Sequence, residues 1–312
     1  MNFKLILVWS LIYTQLFLRI LYRRVNLLQN KLKQGEKIAS HEYFIQRTAA
    51  RYDMTVGDDE KYYANFYRRF ILSEIKNNYN FETLEIHDLA CGQARTLISL
   101  VNENDLKIAS YTGVDFNRAA IRTARQHFCN YNQTKTLIEK PIFVQSDVSN
   151  FLDSVADGSL KCIILLEALY MMENPDQVFC KICKKLSKGG LLIITFRSDL
   201  YYVHQSLGQG LLENIKVIMN KQQGDILSPG VILNWTNSHN IRSNLVNSFP
   251  LKMNRLIGVG VASGIAGDPL AKVVRPSELT NQEQEKLLEV EETYGLRYPD
   301  TGRYILTSFS KV

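Results

Sequence analysis

Several things are missing from this 312-residue sequence. It has no internal repeat and no low-complexity tract, which leaves an ordinary globular chain long enough to bury a large core. Its main body has no excess of either charge. Residues 1–35 hold Lys4, Arg19, Arg23, Arg24, Lys31 and Lys33 and no acid; taking those six from the 37 basic residues leaves 31, against 31 acidic. A formally neutral body from Glu36 to Val312 has no footprint for a phosphate backbone, so no nucleic acid is expected as partner. A disulfide framework is missing too. The five cysteines, Cys91, Cys129, Cys162, Cys180 and Cys183, are scattered and odd in number, which suits a reducing compartment. Cys180 and Cys183 form a C-x-x-C, but within a helical pattern and with no second pair or nearby histidine. No metal site is expected.

Long uncharged apolar runs are also scarce. The one candidate is Phe3 to Tyr22, whose uncharged part, Leu5 to Leu18, is shorter than the roughly 20 residues of a spanning helix. Lys4 and Arg19 can snorkel and lengthen it. The stretch reads first as a membrane-associating helix (residues 1–30), with a surface-lying or core-packed helix and a cleaved signal peptide as the other readings. No small-x-small cleavage site supports the last. As an anchor, its basic flank would place the rest of the chain on the cytoplasmic side. Residues 31–40 are polar and read as a linker.

What is present is organised around Leu84 to Leu97. Leu84, Ile86 and Leu89 are spaced as a short buried strand, with Asp88 near its carboxyl end. Ala90-Cys91-Gly92-Gln93-Ala94 follows as a compact turn, and Arg95-Thr96-Leu97-Ile98 opens a helix. Small residues let a ligand approach the backbone, and the first N–H groups of a helix point at it. The pattern is D-x-A-x-G-x-A and not G-x-G-x-x-G. Alternation then continues: strand 110–115 ending in Asp115, helix 118–128, strand 142–147 ending in Asp147, strand 162–167 ending in Glu167, helix 175–186, strand 191–196. Continuous apolar strands separated by helices predict a doubly wound α/β fold around a mostly parallel sheet. Ligands of such sheets bind beyond the carboxyl ends of the strands, where four acids fall in succession. Upstream, His41 to Tyr52 and Asp58 to Asn77 read as helices, the second with an aromatic stripe from Tyr62 to Phe70 that reads as packing.

At these residues the chain resembles the class I S-adenosylmethionine-dependent methyltransferases. D-L-A-C-G-Q-A is similar to their first motif, G-V-D-F-N-R-A-A-I to their second-strand motif and F-V-Q-S-D-V to the third. D-G-S-L-K-C-I-I-L-L-E-A-L-Y and L-S-K-G-G-L-L-I-I-T-F resemble the fourth and fifth strand segments. The resemblance implies a seven-stranded sheet whose last strand, 302–310, inserts antiparallel after a helix, 283–294, in a domain spanning 41–312. It implies S-adenosyl-L-methionine as cofactor. Ala90, Cys91 and Gly92 would pass the methionine part, with Asp88 nearby. Asp115 would take the ribose hydroxyls, Phe116 would pack on the adenine, and Asp147 with the Val148 N–H would read its edge. Glu167 and Ala168 would lie beside the transferred methyl. Ala94 stands where the family usually has glycine.

Independent of any family, a cationic sulfonium with hydroxyls and an amino group needs acceptors and negative field, which strand-end carboxylates supply. A nicotinamide-dependent oxidoreductase competes, because Asp115 lies where a ribose-binding acid follows a glycine loop, but this loop is glycine-poor for pyrophosphate. A catalytically silent cofactor-binding scaffold is the non-enzyme reading. Residues 197–240 are longer than a bare connection and read as a cap with a helix at 201–220; after it the chain returns as helix 242–249 and a sixth strand at 253–261. The run L-L-E-A-L-Y lacks the D/N-P-P-Y of base-amino methyltransferases. That agrees with the neutral body in disfavouring nucleic acid. The expected acceptor is a small molecule, or a lipid-like one if residues 1–35 anchor the chain, in a pocket lined by Tyr170, Met171, Met172, Phe196 and Trp235. If a base is needed, Glu167, His204 and His239 are the candidates.

Overall fold

A computed structural model describes residues 58–79, 81–101, 103, 106–129, 136–227, 230–265 and 268–312. Strand β1 (Leu84–Leu89) sits inside a seven-stranded sheet with β2 (Ile108–Asp115), β3 (Ile142–Gln145), β4 (Leu160–Leu165), β5 (Leu186–Arg197), β8 (Leu251–Val259) and β9 (Tyr304–Lys311). Their order is β3-β2-β1-β4-β5-β9-β8. The first five strands pair in parallel, and β9 runs antiparallel between β5 and β8. The chain leaves β1 for the β2–β3 side and returns to β4 on the other, so a crevice opens between β1 and β4 at their carboxyl ends. The fold is the doubly wound α/β sheet with an antiparallel last strand that the sequence implies.

Both faces are covered, which is why the central strands read as unbroken apolar runs. Cys162 to Leu165 of β4 and Leu191 to Ile194 of β5 are fully buried. On one face lie α1 (Asp58–Asn78), α2 (Arg95–Leu100), α3 (Arg118–His127) and α8 (Asn281–Arg297); on the other lie α4 (Val148–Ser154), α5 (Pro175–Lys185) and the helical segment 238–248. The aromatic stripe of α1 is core: Tyr62, Tyr63, Phe66, Tyr67, Phe70 and Ile71 are all buried. Each such side chain contributes roughly 1.5–3 kcal/mol by leaving water.

Boundaries moved where local chemistry outweighed periodicity. Asp147 is not the last residue of β3 but the N-cap of α4, its Oδ1 accepting from Ser149 N (2.7 Å) and Asn150 N (3.3 Å). Helix 201–220 is two helices, α6 (Asp199–Gln209) and α7 (Glu213–Asn220), because Gly210 takes a left-handed φ of 75° and caps the first. The 238–248 segment begins earlier than periodicity suggests and holds a π-helical turn at Ile241–Leu245. The cap has a small core of its own around Tyr202, Ile218, Leu233 and Trp235, and carries the two-residue strands β6 (Gln223–Gly224) and β7 (Leu233–Asn234).

One sequence reading is corrected. The membrane-associating helix of residues 3–22, the linker 31–40 and the helix 41–52 lie outside the described residues. Among the described residues no helix is long and apolar enough to cross a membrane. The longest, α1, is 21 residues but carries charges from Asp59 to Lys76 and buries only one aromatic stripe. The run at Leu5 to Leu18 is itself shorter than a bilayer requires. The transmembrane and membrane-associated assignments, and the placement on the cytoplasmic side that followed from them, are therefore withdrawn.

Candidate active site

The turn after β1 is held in a shape few side chains tolerate. Ala90 (φ 57°), Gly92 (φ 55°) and Ala94 (φ 64°) all take left-handed conformations. For a non-glycine residue this costs roughly 1–2 kcal/mol, so Ala94, in a usual glycine position, restricts the turn by strain more than by bulk. Packing and hydrogen bonds hold the shape: Cys91 N donates to Val114 O (2.9 Å) and Ala94 N to Cys91 O (2.9 Å). The Cys91 side chain tucks beside β2 because Gly113 has no Cβ, which would lie 2.9 Å from the sulfur.

Asp115, the last residue of β2, is buried and completes this turn. Its Oδ2 accepts from Gly92 N (2.9 Å) and its Oδ1 from Asn117 N (2.8 Å). Burial raises its pKa, with the two backbone donors opposing. Each carboxylate oxygen keeps a further lone-pair direction for a ligand hydroxyl. Asp88 is buried beside it and accepts from Tyr111 Oη at 2.6 Å. Burial pushes its carboxyl up to about 7 and neighbouring Asp115 adds to this, while Tyr111, Thr96 and Arg95 oppose it.

Glu167 lies two residues beyond β4 with φ 53°, a third strained non-glycine residue at this edge. Thr195 Oγ1 accepts from its backbone N–H (2.6 Å), and its carboxylate accepts from Tyr67 Oη (2.7 Å) and Arg303 Nη2 (3.3 Å). Burial raises its pKa, but Arg303 first, then Arg95, Tyr67 and Arg197, outweigh it and leave the carboxyl below its ordinary value. Glu167 is thus an ion-paired carboxylate with little tendency to take a proton.

These groups surround one cavity of about 810 Å³. All ten residues singled out as cofactor contacts, Asp88, Ala90, Cys91, Gly92, Asp115, Phe116, Asp147, Val148, Glu167 and Ala168, line it. The base candidates separate. Glu167 lines the cavity, but His204 borders a different small recess beside Tyr201 and Ser263, and His239 is exposed on the 238–248 segment. Of the expected acceptor pocket, Tyr170, Met171 and Met172 line the cavity. Trp235 does not; it packs on Tyr202 inside the cap, its indole N–H donating to Lys221 O (2.7 Å) and Ile218 O (3.2 Å). Phe196 instead packs against Phe179.

Sequence reasoning missed the residues that close the far end: Tyr67, Arg197, Asp268 and Arg303. Arg303 Nη1 donates to Asp268 Oδ2 (3.2 Å), whose Oδ1 accepts from Tyr201 Oη (2.8 Å). With Glu167 and Tyr67 this makes a continuous polar chain from α1 to α6. The only available signal was a charge at the end of a strand facing the ligand edge, which Arg197 and Arg303 both satisfy.

An open parallel sheet with an antiparallel seventh strand, a compact turn after β1 and acids along the carboxyl edge define an adenosyl-cofactor α/β domain. A family described as a methyltransferase domain matches residues 80–240, just over half of the sequence. The chain belongs to that family, the class I S-adenosylmethionine-dependent methyltransferases, and S-adenosylmethionine is its cofactor. Among solved structures, a SAM-dependent methyltransferase from Methanosarcina mazei is 14% identical, with 76% of this chain and 97% of that one covered and a TM-score of 0.51. The plantazolicin methyltransferase BamL, solved with a triazolic desmethylPZN analog and SAH, is also 14% identical, covering 85% of this chain and 94% of its own at a TM-score of 0.51. At such identity both report the shared fold. No curated protein sequence matches the chain.

Proposed function

We propose that this chain is an active methyltransferase acting on a small molecule. The observation that carries the reading is the single cavity in which a left-handed compact turn meets Asp88, Asp115, Asp147 and Glu167. S-adenosylmethionine, when bound, supplies an electrophilic methyl group on a cationic sulfur. Asp115 would hold the ribose hydroxyls, and Phe116 would pack on the adenine. Asp147 would use the oxygen not engaged in capping α4 for the adenine amino group, beside the Val148 N–H. Asp88 and the turn 90–92 would face the amino-acid part. Glu167, held by Tyr67 and Arg303, would fix negative field beside Ala168 where the methyl lies. Tyr67, Ile71 and Tyr170 would exclude water and orient the acceptor, and alignment with exclusion of water is most of what such an in-line transfer requires.

Calorimetry tests it: S-adenosylhomocysteine should bind the full chain and oxidised nicotinamide dinucleotide should not. Binding of the dinucleotide alone would favour the oxidoreductase. A protein that binds the homocysteine product but incorporates no label from methyl-labelled cofactor into any small-molecule fraction would be the silent scaffold.

A pH dependence follows from Asp88. Its pKa of about 7 lies above the ordinary 3.8. Its contribution to stability of the free protein is therefore full below pH 4 and lost as pH rises through 7. The cationic donor favours the ionised form. S-adenosylmethionine affinity should rise up to about tenfold per pH unit as pH approaches 7 from below, and level off above it. Asp88→Asn should flatten the profile. A slope that persists in the variant would remove Asp88 as its source.

A further inference from the structure

Arg197 ends β5 at the cavity and is only 7% exposed. Its guanidinium carbon lies 3.9 Å from the ring centre of Tyr304 and 4.4 Å from those of Tyr170 and Tyr201. It donates to Tyr304 Oη (2.8 Å) and to the Arg303 carbonyl (3.3 Å), but among the described residues its buried Nε–H has no acceptor. Among the described residues no carboxylate lies within ion-pair distance of it. The nearby acids are committed elsewhere, Glu167 and Asp268 both to Arg303. Among the described residues this buried cation is compensated only by rings and neutral oxygens, and where it lines the cavity its guanidinium can take an anion.

The same end of the cavity is poor in bases. Among the described residues neither histidine nor lysine lines it. Glu167 is held ionised by Arg303, Asp268 is paired, and Glu173 is exposed at the rim. An alcohol would need a proton acceptor that the described residues of this wall do not offer. An ammonium ion would need to lose a proton and would also face two arginines. A carboxylate needs neither, because its nucleophilic oxygen is already ionised.

Resting on the reading of the chain as a methyltransferase, we propose that its acceptor is a carboxylic acid with an apolar body, seated by its carboxylate on Arg197 and methylated there. In that step a carboxylate oxygen forms the new O–CH3 bond as the S–CH3 bond of the donor breaks. The bonding pair stays on sulfur, giving a neutral thioether and a neutral ester, and no proton moves.

The test uses the full chain saturated with S-adenosylhomocysteine, whose binding is measured first. If that product does not bind, the underlying reading fails and this one with it. Phenylacetate and octanoate are then titrated calorimetrically beside phenylacetamide and octanamide. The acids should bind at least about tenfold tighter than their amides. In Arg197→Gln that ratio should fall to within about twofold, and Arg197→Lys should keep part of it. If neither variant folds, the acid-to-amide ratio of the native chain decides alone. With labelled donor, the product from the better-bound acid should release label as methanol in mild alkali. Equal or absent binding of acids and amides, a preference that survives Arg197→Gln, an alkali-stable product, or loss of transfer in Glu173→Gln would each overturn the proposal.

Discussion

Replacing Asp115 by alanine should weaken S-adenosylhomocysteine binding about 100-fold, roughly 3 kcal/mol, the largest single effect expected on the cofactor. The carboxylate ties Gly92 N to the end of β2, so the strained turn after β1 keeps its shape. In the proposed binding mode it would also offer two oxygens to a ribose diol. Hydrogen bonds to an ionised acceptor contribute about 1.5–3 kcal/mol each, and alanine also leaves the Gly92 N–H without its partner. Asp115→Asn keeps the shape and one acceptor oxygen, so its loss should be nearer tenfold. Stability should change less than affinity, because burial already opposes the charge of this group in the free protein. Calorimetry on Asp115→Ala with an unchanged dissociation constant and an intact circular dichroism spectrum would sink the assignment of β2's end as the ribose site.

Arg303→Leu should lower folding stability by about 3–5 kcal/mol at pH 8, the largest effect expected on the fold. The side chains of Glu167 and Asp268 are each 11% exposed, and Arg303 is the cation paired with both. Removing it takes an ion pair from each of two buried carboxylates, which keep the hydrogen bonds from Tyr67 and Tyr201. The sign with pH distinguishes this from simple loss of packing. In the native chain burial raises the Glu167 pKa but Arg303 and its neighbours bring it below 4.5. That pair therefore stabilises above the ordinary carboxylate range and is lost as pH falls through the lowered value. In the variant burial acts with less opposition, so the folded pKa rises and protonation relieves the penalty. The gap in melting temperature between native and Arg303→Leu chains should therefore narrow from pH 8 towards pH 5. Glu167→Gln added to Arg303→Leu should recover part of the loss. A gap that stays constant with pH, or a double variant no better than the single, would show that the pair contributes through shape alone.

The ligand edge was legible because its signals are local. An apolar run of four to six residues ending in an acid needs no tertiary information, and Asp88 and Asp115 fall inside their strands as read. Asp147 and Glu167 lie just past theirs, where a cap and a strained turn take over from the strand pattern. The far wall was not legible, for the opposite reason. Arg303 meets Glu167 across 136 residues, and Arg197 meets Tyr304 across 107. Nothing in the neighbourhood of either arginine announces the partner. The histidines misled because a titratable side chain carries no indication of which way its helix faces. Trp235 misled because the cap needed an interior of its own. Tyr67 belongs to both accounts: it is part of the aromatic stripe packed on the sheet, yet its hydroxyl reaches the site.

The place of β9 has a consequence for how the chain is made. β5 and β8 are both synthesised before the strand that separates them, and neither can satisfy that edge until β9 arrives, Leu191 pairing with Ser310 and Leu251 with Lys311. During synthesis the growing polypeptide therefore presents two open hydrogen-bonding margins, one of them belonging to the greasiest strand of the sheet. Such a species is slow to complete and prone to stick to its neighbours, so recovery on overexpression should depend on chaperone supply and temperature more than the finished protein's melting point suggests.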